Sequence, residues 1–192
     1  MIETPTETPE ISILLLGDSE VGKSTFLSRL SCGNNDLKSK DLPPPLRDLD
    51  QPFIYDIQLF NRPYRFEFSD TASPENYTLL RPSVVVLCYD VTDRKTLAHL
   101  KSRWYRELHT YYLCDRELPV LLMGLKRDLR NEDGIMPQEA YRIAQEMRCD
   151  RYLECSAVTG ELVREVFEDI ARTAAMTTKD SGGLSAGGCV IL

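Results

Sequence analysis

Gly17-Asp18-Ser19-Glu20-Val21-Gly22-Lys23-Ser24 is the stretch that decides how this chain is read. Two glycines bracketing four residues, followed by Lys and Ser, form the pattern of a loop that wraps phosphate. The glycines let the backbone curl until several N–H groups converge on an anion's oxygens. Lys23 adds a cation for the β- and γ-phosphates, and the Ser24 hydroxyl is placed to ligate Mg²⁺. The flanks suit that chemistry. Ile11 to Leu16 is a short apolar run, which reads as a buried strand. Ser24 to Leu30 reads as a helix, whose positive dipole end faces the same anion.

Outward from the loop, strand and helix signals alternate. Ser31 to Pro52 carries Pro43, Pro44, Pro45 and Pro52 among many charges and reads as a loop. Phe53 to Phe60 and Tyr64 to Phe68 read as strands of a hairpin turning at Asn61-Arg62. Ser83 to Tyr89, Val120 to Met123 and Arg151 to Cys155 read as further strands. Leu97, Leu100, Trp104, Leu108 and Tyr111 recur at helical spacing. Pro137 opens a helix with Ala140, Tyr141, Ala144 and Met147 on one face. Val163, Val166, Phe167, Ile170 and Ala174 mark a last amphipathic helix. Trp104 and Phe167 are expected in the core. The alternation predicts an α/β domain, its mainly parallel sheet covered on both faces. Ligands of such sheets sit beyond the carboxyl ends of the strands.

Composition narrows the function further. The chain has 192 residues, 42% hydrophobic and 28% charged, enough for one domain with a sizeable core. Its net charge of −7 makes it a poor general binder of nucleic acid, and no nucleic-acid partner is expected. No run reaches the ~18 apolar residues of a membrane-spanning helix. Residues 1–10 are polar and Pro/Thr/Glu-rich, which is not a secretory signal and predicts a disordered arm. The six cysteines form no Cys-x-x-Cys pair, so no zinc site or redox dithiol is indicated. Cys88 and Cys155 lie in apolar runs and are expected as reduced core residues of a cytosolic protein.

A phosphate loop does not choose a base. Lys126-Arg127-Asp128, after the run ending Met123-Gly124-Leu125, can. The Asp128 carboxylate can accept from the N1–H and the exocyclic amine of guanine. Adenine has no matching donor pair, so a site built this way rejects it. The Lys126 stem can lie along the base. After the last strand, backbone N–H groups within Glu154-Cys155-Ser156-Ala157 can meet the guanine carbonyl oxygen.

Together these motifs resemble the small GTPases, over roughly residues 11 to 175. Asp128-Leu129-Arg130, Glu154-Cys155-Ser156-Ala157, Val163-Arg164-Glu165-Val166-Phe167-Glu168, Trp104 and the ending Cys189-Val190-Ile191-Leu192 are similar to the Rho branch. The resemblance implies a P-loop NTPase fold of the small-GTPase type with a six-stranded sheet. It implies GTP and GDP as ligands, Mg²⁺, effector and regulatory proteins as partners, and membrane attachment through the terminal cysteine. Carried over by position, phosphate contacts fall on Glu20, Val21, Gly22, Lys23, Ser24 and Thr25. Base contacts fall on Lys126, Asp128, Ser156 and Ala157, and metal contacts on Ser24 and Asp70.

The chain departs from that family mainly where hydrolysis and switching are set. Ser19 stands where the family has glycine, crowding the space of a catalytic glutamine and an inserted arginine. Asp70-Thr71-Ala72-Ser73-Pro74-Glu75 stands where the family has Asp-Thr-Ala-Gly-Gln-Glu. Pro74 has no side-chain group with which to orient the attacking water. Asp70 remains and can steady Mg²⁺ through a water. No Thr occurs between Thr25 and Thr71 to reach Mg²⁺ from the first switch. The segment from Glu75 to Arg81 has room for at most ~two helical turns. The helical insert of the Rho branch is reduced to Asn131 to Met136. Leu125 replaces a polar residue that ties the base motif to the phosphate loop. No Gln, His or Glu other than Glu75 lies beside the expected γ-phosphate unless one arrives from elsewhere in the chain, so no catalytic residue is assigned.

Residues 177–192 are expected to form a flexible tail, Gly/Ser/Thr-rich up to Gly188. Its last four residues fit geranylgeranylation of Cys189. Lys179 is its single cation, so the anchor is hydrophobic. The expected organisation is an arm at 1–10, a GTP-binding domain at 11–176 and a prenylated tail at 177–192. The leading expectation is a monomeric, membrane-anchored, Rho-like signalling protein with weak or absent GTP hydrolysis. It would lie on the cytoplasmic face of membranes, with a cytosolic pool. An ordinary switching GTPase, a pseudo-GTPase interaction module and an ATP-binding P-loop protein stay open as alternatives.

Overall fold

The computed structural model describes residues 8–32, 44, 46–59, 61–71, 77–114, 118–178 and 190–191. β1 (Glu10–Leu16) leads through the glycine loop into α1 (Lys23–Leu30). β2 (Phe53–Leu59) and β3 (Arg62–Asp70) form the hairpin, turning through Asn61 at φ 60°. β3 starts two residues ahead of the expected Tyr64 and takes in Pro63, opposite Gln58. β1 pairs with β3 only from Arg65 onward, so the N–H that Pro63 lacks falls outside that ladder. β4 (Val84–Asp90) and β5 (Val120–Leu125) follow the expected runs, each extended by a residue or two at its carboxyl end. α3 (Pro137–Glu146), β6 (Arg151–Glu154) and α4 (Val163–Met176) complete the alternation.

The strand order is β6-β5-β4-β1-β3-β2-β7, parallel except at the pairs that β2 makes. Six strands match the expectation. The seventh, β7 (Val190–Ile191), is an addition: the free edge of β2 takes an extended pair of β-branched residues from the expected tail. Cys189 and residues 179–188, where flexibility was expected, lie outside the described residues. At the other end β1 begins at Glu10 and Pro9 O accepts from Arg65 N, so the strand reaches into the expected arm.

Side-chain alternation sorts β4 to two cores. Val84, Val86 and Cys88 face α1 and α4, while Val85, Leu87 and Tyr89 face α2 (residues 94–111) and α3. Every residue of β4 is buried, and each full burial of a Val or Leu contributes ~1.5–3 kcal/mol. Helix α2 spans residues 94–111. It is α-helical over Arg94–His99, π over Leu100–Trp104 and α-helical again over Tyr105–Tyr111. Trp104 and Leu108 stay buried as expected, but Tyr112, the C-cap at φ −122°, leaves the helical path and is buried at 2% exposure while Tyr111, expected inward, is 40% exposed. In α3, Tyr141 is likewise 52% exposed and meets Tyr152 edge-on, at the rim of the second core.

Candidate functional site

The phosphate loop is shaped by where its glycines sit. A Cβ on Gly17 would lie 2.3 Å from the carbonyl oxygen of Cys88, so only glycine lets the loop leave β1 against β4. Gly22 caps α1 at φ 110°, and Glu20 holds φ 63°, uncommon for a residue with a side chain. Such turns aim successive N–H groups inward. The first turn of α1 holds no acid to oppose an anion. Lys23 is 6% exposed and donates to Gly17 O at 3.0 Å and Asp18 O at 2.7 Å, which keeps the ammonium in the mouth of the loop.

Asp70 closes the far side of that mouth. It ends β3, fully buried, and its Oδ2 accepts from Ser24 Oγ at 3.2 Å. A hydroxyl and a carboxylate are the hard oxygen donors magnesium takes beside phosphate. Thr71 Oγ1 donates to Gly17 O at 3.2 Å and ties the start of the next segment to the loop. Ser73, Pro74 and Glu75 lie outside the described residues. Among the described residues of that segment there is a 3-10 turn, Tyr77–Leu79. Tyr77 donates to Glu107 at 2.6 Å and packs its ring on Trp104, fastening this segment to α2.

A cleft of about 780 Å³ joins these groups and runs on along α2. Its walls include Lys23, Ser24, Thr25, Asp70 and Lys126, then Lys95, His99, Arg103 and Trp104. Trp104 is core, as expected, but also reaches the site: its Nε1 donates to Asp18 Oδ1 at 2.8 Å. His99 Nδ1 lies 2.6 Å from Asp18 Oδ2. The Arg103 guanidinium covers the Trp104 ring at 4.2 Å. So α2 grips the phosphate loop through Asp18.

The base motif is held by two anchors. Lys126 sits at φ 61°, and its ammonium pairs with Asp90 Oδ2 at 2.7 Å. Burial raises the Asp90 carboxyl, yet hydrogen bonds from Lys126 and Thr92 outweigh it and leave the pKa below the usual carboxylate value. The Lys126 stem thereby crosses the phosphate loop, its Cε 3.9 Å from where a Gly22 Cβ would be. Leu125 approaches the same point to 3.7 Å, an apolar contact where the expected hydrogen-bond tie is missing. Arg127 N donates to Cys155 O at 3.2 Å, which sets the motif beside the Ser156 loop.

Asp128 stands exposed on the 3-10 turn Arg127–Leu129, open to an incoming base. Ser156 is fully buried, and its N–H is taken by Glu161 O at 3.0 Å. Its Oγ accepts from Thr159 N at 3.1 Å. Ser156 thus shapes the loop. Ala157, buried beside Ser156, is the next residue of the same loop. Asp128, Ser156 and Ala157 lie outside the cleft of the phosphate loop, so the two halves of the site meet at Lys126.

Sequence reasoning missed three contributors. Arg29 is fully buried, and its guanidinium donates to Ala157 O and Val158 O, each at 2.7 Å, tying α1 to the base loop. Its signal was a permanent cation in an apolar helix stripe. His99 enters the cleft from α2. Gln51, from the loop before β2, donates from Nε2 to Asp70 Oδ1 at 2.7 Å and accepts from Asp70 N at 2.9 Å. A Gln and a His do reach the phosphate end, by the route from elsewhere in the chain that the sequence left open. They come from distant segments, and both are engaged with protein carboxylates.

Residues 12–176 match the Ras family. The chain is 30% identical to GTP-binding protein rho1 of Schizosaccharomyces pombe over 185 residues, 87% of each chain. It is 27% identical to human Rho-related GTP-binding protein RhoD, over 90% of this chain and 86% of the relative. It is 30% identical to mouse Rho-related GTP-binding protein RhoV, over 83% and 73% respectively. By the family match over residues 12–176 and these relatives, the chain is a member of the Ras family of small GTPases, on its Rho branch.

Proposed function

We propose that this Rho-branch protein holds GTP with Mg²⁺ and hydrolyses it slowly or not at all, acting as a persistent signal at a membrane. One observation carries the reading. The groups expected to hold phosphate and Mg²⁺ stand together, while the Gln and the His that come nearest to them among the described residues are already engaged with protein carboxylates. Lys23, Ser24 and Asp70 converge on the phosphate mouth. Gln51 uses both ends of its amide on Asp70, and His99 is paired with Asp18. Pro74 brings no side-chain donor or acceptor, and Ser19 puts a side chain where the family has none. Positioning of the water supplies most of the catalysis in this reaction, so its loss should be felt in rate more than in affinity.

Ser24, and Asp70 through a water, would hold Mg²⁺ together with phosphate oxygens. The ion would neutralise charge on the β- and γ-phosphates. Lys23 would release its two loop carbonyls to meet the same oxygens, and the loop N–H groups would orient them. Single-turnover hydrolysis is expected below roughly 3–5 × 10⁻⁴ s⁻¹, the unassisted rate of Ras. A Rho-type activating protein should add less than about tenfold, against the ~10³–10⁵ an arginine finger contributes elsewhere. Ser19→Gly with Pro74→Gln should gain more than either change alone. A wild-type rate at or above the Ras figure defeats the proposal.

Attachment through Cys189 belongs to the same reading. Cys189-Val190-Ile191-Leu192 has the form of a geranylgeranylation signal. Each buried methylene contributes ~0.8 kcal/mol, and the acidic domain adds no attraction to anionic lipid. Binding should then depend little on salt. Cys189→Ser is expected to move the protein from the membrane to the soluble fraction on cell fractionation. Persistent membrane binding of that variant would assign the anchor to another feature.

A further inference from the structure

Asp70 is a fully buried carboxylate, and its two oxygens are claimed by different elements. Oδ2 accepts from Ser24 Oγ, at the start of α1. Oδ1 accepts from Gln51 Nε2 at 2.7 Å, and Gln51 Oε1 in turn takes the Asp70 N–H at 2.9 Å. Carboxylate and amide N–H make opposite demands on the Gln51 amide, so one orientation satisfies both. The loop carrying Gln51 has a second attachment: Leu46 N donates to Ser28 Oγ at 3.0 Å, and Leu46 packs on the first core. Between these points lies a 3-10 turn, Asp48–Asp50, with Leu49 80% exposed. Loop 46–52 is thus bound to the domain at its two ends, and the Gln51 end grips the residue that faces the cation.

We propose that Gln51 is a positioning residue of the cation site and the link by which loop 46–52 follows that site. The inference rests on the Mg²⁺ reading above. With Oδ1 fixed by the amide, the carboxylate cannot rotate, and Oδ2 stays beside Ser24 Oγ to face the ion. No threonine lies between Thr25 and Thr71, so this loop has none to offer the ion, and Gln51 supplies the coupling instead. Partners that orient a metal-binding carboxylate typically carry 10–100-fold of the metal's affinity. The amide touches the carboxylate and not the ion, so it acts by orientation.

The test uses the full chain with Gln51→Ala, and Gln51→Met as a variant that keeps the side chain's length. Calorimetric titration of Mg²⁺ into the GDP-bound protein should show ~10–100-fold weaker binding in both variants. Exchange of the Asp70 amide hydrogen, followed by NMR without nucleotide or metal, should speed up at least ~10-fold as it loses its acceptor. Mg²⁺ affinity within threefold of wild type, or tighter, overturns the proposal, since tighter binding would make the amide a competitor of the ion. A wild type that takes up no GDP defeats the nucleotide reading instead. Asp70 exchange then decides alone: faster exchange in the variants upholds the Gln51 link, and equal rates overturn it.

Discussion

Gly17→Ala is expected to cost the protein its nucleotide and part of its stability together. The added methyl would meet Cys88 O at 2.3 Å, and that oxygen belongs to the backbone of a wholly buried strand. β4 is paired on both sides, with Leu87 opposite Leu16 of β1 and Cys88 opposite Met123 of β5. It cannot yield without breaking a ladder, so the phosphate loop must move. Overfilling a packed site costs ~1–3 kcal/mol, and a backbone neighbour puts this case at the upper end. Two misaligned N–H donors to charged phosphate forfeit ~1.5–3 kcal/mol each, or ~10²–10⁴ in affinity. Thermal melting and titration with fluorescent GDP read the two effects separately. GDP affinity within tenfold of wild type would show that the loop is not seated against β4.

Asp128→Asn should change the ligand without touching the fold. Asp128 is exposed on its 3-10 turn, so stability should hold within ~0.5 kcal/mol. The two bonds proposed from its carboxylate to the guanine edge would be charge-assisted and worth ~1.5–3 kcal/mol each. Guanine affinity should fall ~10²–10⁴-fold, while xanthine, whose edge matches an amide, should bind better than it does to wild type. Titration of both proteins with GDP and XDP checks this. An unchanged preference would remove Asp128 from the base site. The pair of substitutions separates the halves of the site, since Gly17→Ala weakens every nucleotide and Asp128→Asn reorders them.

What the sequence made legible is local. The motif from Gly17 to Ser24 reads as it folds because a strand, a tight loop and a helix start are set by neighbours a few residues apart. The central strands were legible because full burial leaves continuous apolar runs. Helix α2 was legible as a helix, yet neither its π turn nor the non-helical C-cap that takes Tyr112 inward in place of Tyr111 was. One extra residue in a turn leaves no mark in a spacing rule.

The side chains that finish the site were hidden for a different reason. Arg29 meets Ala157 across 128 residues, His99 meets Asp18 across 81, and Gln51 meets Asp70 across 19. No motif spacing encodes such pairs; they exist only once β1, β3 and α2 are packed. Ser156 shows the converse. Its place in the base loop was legible, but the bond that claims its N–H depends on the turn bringing Glu161 back to it. The edge pairing of Val190–Ile191 with β2 was hidden too, because an open sheet edge has no signature in the segment that comes to fill it.

The central claim is that a guanine nucleotide sits between the phosphate loop and the Lys126–Asp128 turn. Its most direct test is competition against fluorescent GDP on the wild-type chain in Mg²⁺, with unlabelled GDP and ADP as competitors. A site that pairs a carboxylate with the guanine edge should reject the base lacking those donors by ~10⁴–10⁵. GDP should therefore displace the probe at a concentration lower than ADP by about that factor. Displacement by ADP at concentrations comparable to GDP, or a chain that takes up no probe at all, would contradict the account.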